Sequence, residues 1–232
     1  MKLYNNEKAI ISLTSWLGRI GTTATTIKSL LKQCPEFHIV LVLSEEEFLE
    51  KENSLPSDLR KLVKKNKIEI LWVKKNYYAF KKVLFTMNKY PDVPIISADD
   101  GVIYTENFAE KLYSRWLKHK DCLISTTKYY HKKVKIYSGS GERGILYPPG
   151  IFKDFLYLLE DARIIDLHHD DALIAVLAEK LNIHWIFLNY VNLRTEPCIR
   201  LEQAEDIGMR RRKLYDDNEA IKALRKILKE YL

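Results

Sequence analysis

The sequence predicts an α/β fold with a mostly parallel sheet covered by helices on both faces. Two observations predict it. Apolar runs of strand length alternate with segments of helical periodicity through the first hundred residues, the pattern of β-α-β units. The fourth such run then ends directly in an acidic pair, Asp99-Asp100, at the carboxyl end of a strand, where open parallel sheets bind their ligands.

Each element follows in order. Ala9 to Thr14 is a run of buried-strand type; a polar loop follows, and Ile27, Leu30, Leu31 and Cys34 recur at helical spacing. His38 to Leu43 is the second strand. After the Leu55-Pro56 break, Ser57 opens a short helix with Leu59, Leu62 and Val63 on one face, serine being a favoured helix starter. Ile68 to Val73 is the third strand, Phe80, Val83, Leu84 and Met87 mark the third helix, and Val93 to Ala98 is the fourth strand. The second half is α+β in character. It carries a helix around Phe108, Leu112 and Trp116, a strand at Cys122 to Ser125, and a glycine- and proline-rich loop from Ser138 to Gly150. A helix beginning at Asp170-Asp171 presents Leu173, Val176, Leu177 and Leu181, and His184 to Tyr190 reads as a strand. The expected organisation is one catalytic domain over 1–205, its nucleotide-binding half about 1–105 and its acceptor half about 106–205. A basic helical tail over 206–232 follows, with Ile221, Leu224, Leu228 and Tyr231 in one apolar stripe.

Composition narrows the class. The 232 residues are 47% hydrophobic and 30% charged, ordinary for a globular chain with a sizeable core. No run reaches the roughly 18 uncharged apolar residues of a membrane span, and the first residues lack the apolar stretch and cleavage site of a secretory signal. A cytoplasmic protein is expected. Cys34, Cys122 and Cys198 match neither a zinc spacing nor a disulfide framework, so reduced thiols are expected. The net charge of +7 invites an anionic partner: nucleic acid, an acidic lipid surface or a phosphorylated substrate. No nucleic-acid recognition motif is present. The GxGxxG and GxxxxGK[ST] fingerprints are also absent, which removes Rossmann dehydrogenases and P-loop enzymes.

Two acidic pairs carry the chemistry. Asp99-Asp100 reads either as a site holding a divalent cation against a diphosphate or as a turn, since Asp-Gly is a common turn dipeptide. Asp170-Asp171, behind His168-His169, reads either as a general base at a helix start or as simple capping by Asp170. His168 and His169 are candidate metal ligands or acceptor contacts. Gly139, Gly141, Gly144, Pro148, Pro149 and Gly150 form a loop able to approach a substrate closely, and Tyr147 is a candidate stacking platform for a sugar ring.

The runs Ile11 to Ile20, Thr26 to Leu31, Leu43 to Phe48, Leu55-Pro56, Phe80-Lys81-Lys82, Ile96 to Tyr104 and Tyr147 to Gly150 together resemble a family of bacterial capsule and lipopolysaccharide glycosyltransferases. The similarity spans roughly residues 9 to 185. These proteins look like GT-A enzymes related to the large inverting family. The resemblance implies a nucleotide-sugar donor, a UDP-sugar foremost, bound by Thr14, Ser15, Arg19, Lys81, Lys82, Asp99 and Asp100. It implies that Asp171, beside Asp170, deprotonates the acceptor hydroxyl, and that Tyr147, Gly144 and His169 lie on the acceptor side. The acceptor would be a glycan or a lipid-linked glycan in surface polysaccharide synthesis. Where the family has three consecutive aspartates, this chain has Asp99-Asp100-Gly101. Three outcomes follow: Asp100 and His169 hold Mn2+ or Mg2+, or the enzyme works without a metal, or donor turnover is lost. Retaining transfer and a non-catalytic nucleotide- or glycan-binding relative are the alternative functions. Arg210-Arg211-Arg212-Lys213 and the tail helix predict docking on the catalytic domain, peripheral contact with an anionic inner membrane face, or both.

Overall fold

The computed structural model describes residues 7–33, 35–188, 198–201 and 216–232. Its centre is a seven-stranded sheet in the order β10-β6-β9-β4-β1-β2-β3. The strands are β1 (Ala9–Thr14), β2 (Phe37–Ser44), β3 (Glu69–Val73), β4 (Ile95–Ser97), β6 (Leu123–Ser125), β9 (Ile145–Tyr147) and β10 (Trp185–Phe187). All neighbours pair in parallel except β9, which runs antiparallel to both β4 and β6. Two small antiparallel ribbons flank the sheet: β5 (Val102–Tyr104) with β11 (Cys198–Arg200), and β7 (Tyr129–His131) with β8 (Ile136–Ser138).

The predicted α/β architecture is the observed one. The continuous apolar character of β1 and β2 follows from burial on both faces. Ile10, Val40 and Val42 point into one core, and Ile11, Leu13, Ile39 and Leu41 into the other. Helices α1 (Ile20–Leu30), α2 (Ser57–Lys64) and α4 (Phe108–Trp116) cover the second core through Ile27, Leu59 and Phe108. The first core is closed by α3 (Lys81–Lys89), α5 (Ala162–Ile165), α6 (Asp170–Lys180) and α7 (Asp217–Ile227). Ala172 through Ala178 are all buried in α6, so this helix has apolar neighbours all round.

One expectation is corrected here. The segment read as a loop from Ser138 to Gly150 contains β9, in the middle of the sheet, and its Tyr147 is 1% exposed. Tyr147 is therefore a core residue, with its ring 6.4 Å from that of Phe152, and is closed to a sugar. Gly144, expected beside the acceptor, has φ +100 and lies against the Phe108 ring, which a Cβ would strike. It is a glycine so that the chain can turn tightly into β9.

The tail helix docks. Ile221, Leu224 and Leu228 are fully buried, while Tyr231 is 38% exposed and donates its hydroxyl to Asp161 at 2.9 Å. Arg210 to Lys213, Cys34, and Tyr190 with the end of the strand expected there, lie outside the described residues. Cys122 is a free thiol, and the Cys198 thiol donates to the Glu142 backbone oxygen at 3.8 Å. No helix of the described residues is long and apolar enough to cross a membrane.

Candidate active site

The carboxyl ends of β1 and β4 meet at a cleft, and short polar side chains fix its floor. Ser12, buried in β1, donates to the backbone oxygen of Lys82 at 2.5 Å and lies 2.7 Å from the Thr86 hydroxyl. This clamps the first turn of α3 to the sheet and sets where Lys82 emerges. Thr14 reaches across to the backbone oxygen of Val42 at 2.7 Å. In the loop after β1, Ser15 donates to Asp100 Oδ2 at 2.5 Å and Arg19 Nη1 to Asp100 Oδ1 at 2.8 Å. Thr26 of α1 donates to the Asp100 backbone oxygen at 3.0 Å. Burial raises the Asp100 carboxyl, while Arg19 and Ser15 hold it down; the net displacement is upward.

Lys82 joins the two acidic pairs. Its ammonium lies 2.7 Å from Asp99 Oδ1 and 3.0 Å from Asp170 Oδ2, with its side chain 3% exposed. Burial alone would lower its pKa, but the charges of Asp170, Asp99 and Asp171 outweigh burial and hold it well above the ordinary lysine value. Lys81 has no such surround. Burial brings it down to about 8 against the charges of Glu47 and Asp100, and its ammonium donates to Asn76 Oδ1 at 3.0 Å.

Asp171 differs from all of these. Its Oδ1 accepts the backbone N–H of Gly141 at 2.9 Å, and burial, reinforced by the charge of Asp170 and opposed by Lys82, pushes its pKa up to about 7. A Cβ at Gly141 would sit 3.0 Å from Lys82 Nζ and 3.1 Å from Asp171 Oδ1, so the bare backbone is what brings this loop to the carboxylate. Asp170 does not cap α6, since its carboxylate faces Lys82. His168, at φ +54, and Tyr78, at φ +49, form one wall with ring centroids 4.0 Å apart; two non-glycine residues in the left-handed region mark a rim whose geometry the surroundings impose.

These groups line one cavity of about 570 Å³, within the range of small-molecule sites. Thr14, Ser15, Arg19, Lys81, Lys82, Asp99, Asp100, His169, Asp170 and Asp171 all reach it; Tyr147 and Gly144 do not. Sequence reasoning missed Asn76, Tyr78, Glu142, Arg200 and Asp217 in the lining, because single polar residues in loops or at the ends of short elements carry no pattern. It also missed Tyr104, whose buried hydroxyl accepts the Asp99 N–H at 2.8 Å and donates to the Glu142 backbone oxygen at 2.7 Å. Arg200, brought opposite Val102 by the β5–β11 pairing, forks onto Glu142 at the rim.

The expected metal pair is not assembled as a cation site. Asp100 already meets Arg19 and Ser15, and His169 Nδ1 is 3.2 Å from Asp217 Oδ1. Among the described residues no group of three or more His, Cys, Asp or Glu is placed to hold a metal ion. Asp99 and Asp170 share a protein ammonium. As arranged, these residues do not fit a divalent cation. The lysine and arginine side chains that reach the cavity are those of Arg19, Lys81, Lys82 and Arg200.

Solved structures share this fold. Mannosyltransferase PcManGT from Pyrobaculum calidifontis, in complex with GDP-Man and Mn2+, is similar at TM-score 0.57 and 10% identity, covering 83% of this chain and 60% of that one. TarS of S. aureus is similar at 0.56 and 14%, covering 97% and 43%. GalNAc-T7 with UDP, GalNAc and Mn2+ is similar at 0.55 and 11%, covering 86% and 45%. The chain thus spans 43% to 60% of the length of these proteins. The fold is the GT-A-like fold of glycosyltransferases. No protein-family model and no curated protein sequence matches the chain.

Proposed function

We propose that this chain is an inverting glycosyltransferase that moves a sugar from a nucleoside-diphosphate sugar, a UDP-sugar foremost, to a hydroxyl of a glycan or lipid-linked acceptor, as surface polysaccharide synthesis requires. The observation that carries the reading is Asp171: a carboxylate at the wall of a cavity of donor size, raised to about 7, where a general base works best at neutral pH. The acceptor oxygen attacks the anomeric carbon and gives its proton to Asp171. The bond from that carbon to the diphosphate breaks, and its electron pair leaves with the nucleoside diphosphate. Arg19, Lys81 and Lys82 meet the charge that develops there, Arg19 with a planar fork suited to phosphate. The loop after β1, fixed by Thr14 and Ser15, would seat the nucleoside.

A nucleotide- or glycan-binding relative without turnover is a second reading, favoured by Gly101 on the cavity wall in place of a carboxylate. A thermal-shift panel of nucleoside diphosphates with and without Mn2+, followed by an assay of nucleotide release with acceptor, separates the two. Binding with acceptor-dependent release is expected. Binding without release supports the second reading, and no stabilisation by any nucleotide overturns the transferase and the nucleotide-binding form of the second reading.

A further inference from the structure

From Cys122 to Gly141 the sequence contains no Asp or Glu, yet it carries Lys128, Lys132, Lys133 and Lys135 interleaved with Tyr129, Tyr130 and Tyr137. This segment folds as the β7–β8 hairpin, with Tyr130 opposite Tyr137. All four lysines and all three tyrosines are exposed. Some lysines elsewhere pair with acids, as Lys28 does with Asp58 and Lys75 with Glu160. Among the described residues none of these four pairs with a carboxylate.

Strand alternation gives the hairpin two faces. Tyr129, His131 and Ser138 line the cavity that holds Asp171. On the other face the rings of Tyr130 and Tyr137 lie 4.8 Å apart, Tyr137 is 6.1 Å from Phe187, and Phe187 stacks on Trp185 at 5.7 Å and 5°. The Lys128 ammonium sits 4.5 Å over the Tyr137 ring. Aromatic rings offer faces on which sugars stack, and unpaired lysines offer charge to an anion.

We infer that this hairpin seats the acceptor, and that the acceptor is an anionic glycan chain bearing phosphodiester or carboxylate groups. The inference rests on the transferase reading and narrows its substrate. A chain whose terminal hydroxyl reaches Asp171 passes Tyr129 and His131 on its way out of the cavity. It then meets four uncompensated positive charges beside an aromatic strip. The strip is built of aromatic rings with the Lys128 ammonium over two of them, which suits stacking on an anionic polymer better than insertion in lipid. The opposite face of the same hairpin lines the cavity, which favours a sugar-chain acceptor over a nucleic acid.

The test titrates the full chain with poly(glycerol phosphate), polygalacturonate, neutral dextran and a single-stranded RNA oligonucleotide, while UDP-induced thermal stabilisation is followed in parallel. The expected result is binding to one or both anionic polymers, weakening with salt, and none to dextran; the polymer that binds names the anion. K128A/K132A/K133A/K135A should lose about tenfold or more in affinity, and the fourfold arginine variant should retain it. Y130A/Y137A should bind the uronate polymer several-fold more weakly. Both variants should keep the UDP shift. Equal polymer binding by wild type and the fourfold alanine variant would overturn the inference, as would RNA binding as tight as either polymer. Absence of a UDP shift in the wild type would count against the reading of the cavity, independently of the polymer result.

Discussion

The two acidic pairs look alike in sequence and behave differently in the fold. Each lends one carboxylate to Lys82, Asp99 from the strand end and Asp170 from the helix start. Their second members diverge. Asp100 is held on both oxygens by Ser15 and Arg19, which oppose the upward push of burial, and the group acts as a brace between the end of β4 and the loop after β1. Asp171 has a backbone N–H and no cation of its own, and its pKa rises to about 7. Neighbours, not residue type, make one aspartate a strut and give the other the raised pKa on which the proposed role of base rests.

Removing what the pairs share should have the largest effect. Lys82→Met removes a buried ammonium from two partly exposed carboxylates and is expected to cost about 1–3 kcal/mol in chemical denaturation at pH 7; a loss under about 0.5 kcal/mol would show that water already screens the pair. Next comes Asp171→Asn, expected to lower transfer by ~10²-fold or more while leaving the UDP-induced shift intact. In the wild type, kcat/KM should rise with pH through about 7, because the base must be ionised, and that limb should vanish in the variant. The stability effect has the opposite direction. A folded-state pKa above that of an unfolded aspartate means that the protonated carboxyl favours the fold at low pH. That contribution is lost as pH rises through about 7, so Asp171→Asn should melt higher than wild type at pH 8. An unchanged melting curve there would place the carboxylate in water.

Asp99→Ala should act on ligand before fold, weakening nucleotide-sugar affinity about tenfold with little change in melting temperature; equal affinity would move the donor away from this strand end. The smallest effect is expected for Gly101→Asp, which adds a carboxylate to the cavity wall next to the brace. Mn2+ should then stabilise the variant by more than it stabilises the wild type, and identical Mn2+ responses would show that the added group does not face the site.

The first half of the fold was legible because β1 and β2 are long and buried on both faces, so their apolar runs are unbroken. Of the short strands in the second half, β6 and β10 were read from Cys122 to Ser125 and from His184 to Tyr190, and the others were not. β5, β7, β8 and β11 have three residues each, too few to show a period of two, and β9 is hidden between Gly144 and Pro148, where composition signals a loop. That misreading carried Tyr147 and Gly144 into the acceptor side. The acidic pairs themselves were legible because each doublet ends an apolar strand or opens an apolar helix. What the sequence did not reveal was that Lys82 bridges the pairs, or that Asp217 of α7 sits beside His169. Such contacts join residues far apart in the chain and leave no local trace.

That last contact also bears on how the protein reaches its working form. The cavity takes walls from Thr14 to Asp217, nearly the whole span of the described chain, so no contiguous fragment holds it. Bringing such distant segments together costs loop-closure entropy that is recovered only once the sheet and α6 are in place. Nucleotide capture should therefore be among the last properties regained on refolding, after helical signal and core fluorescence, and the first lost when α7 lifts from α6.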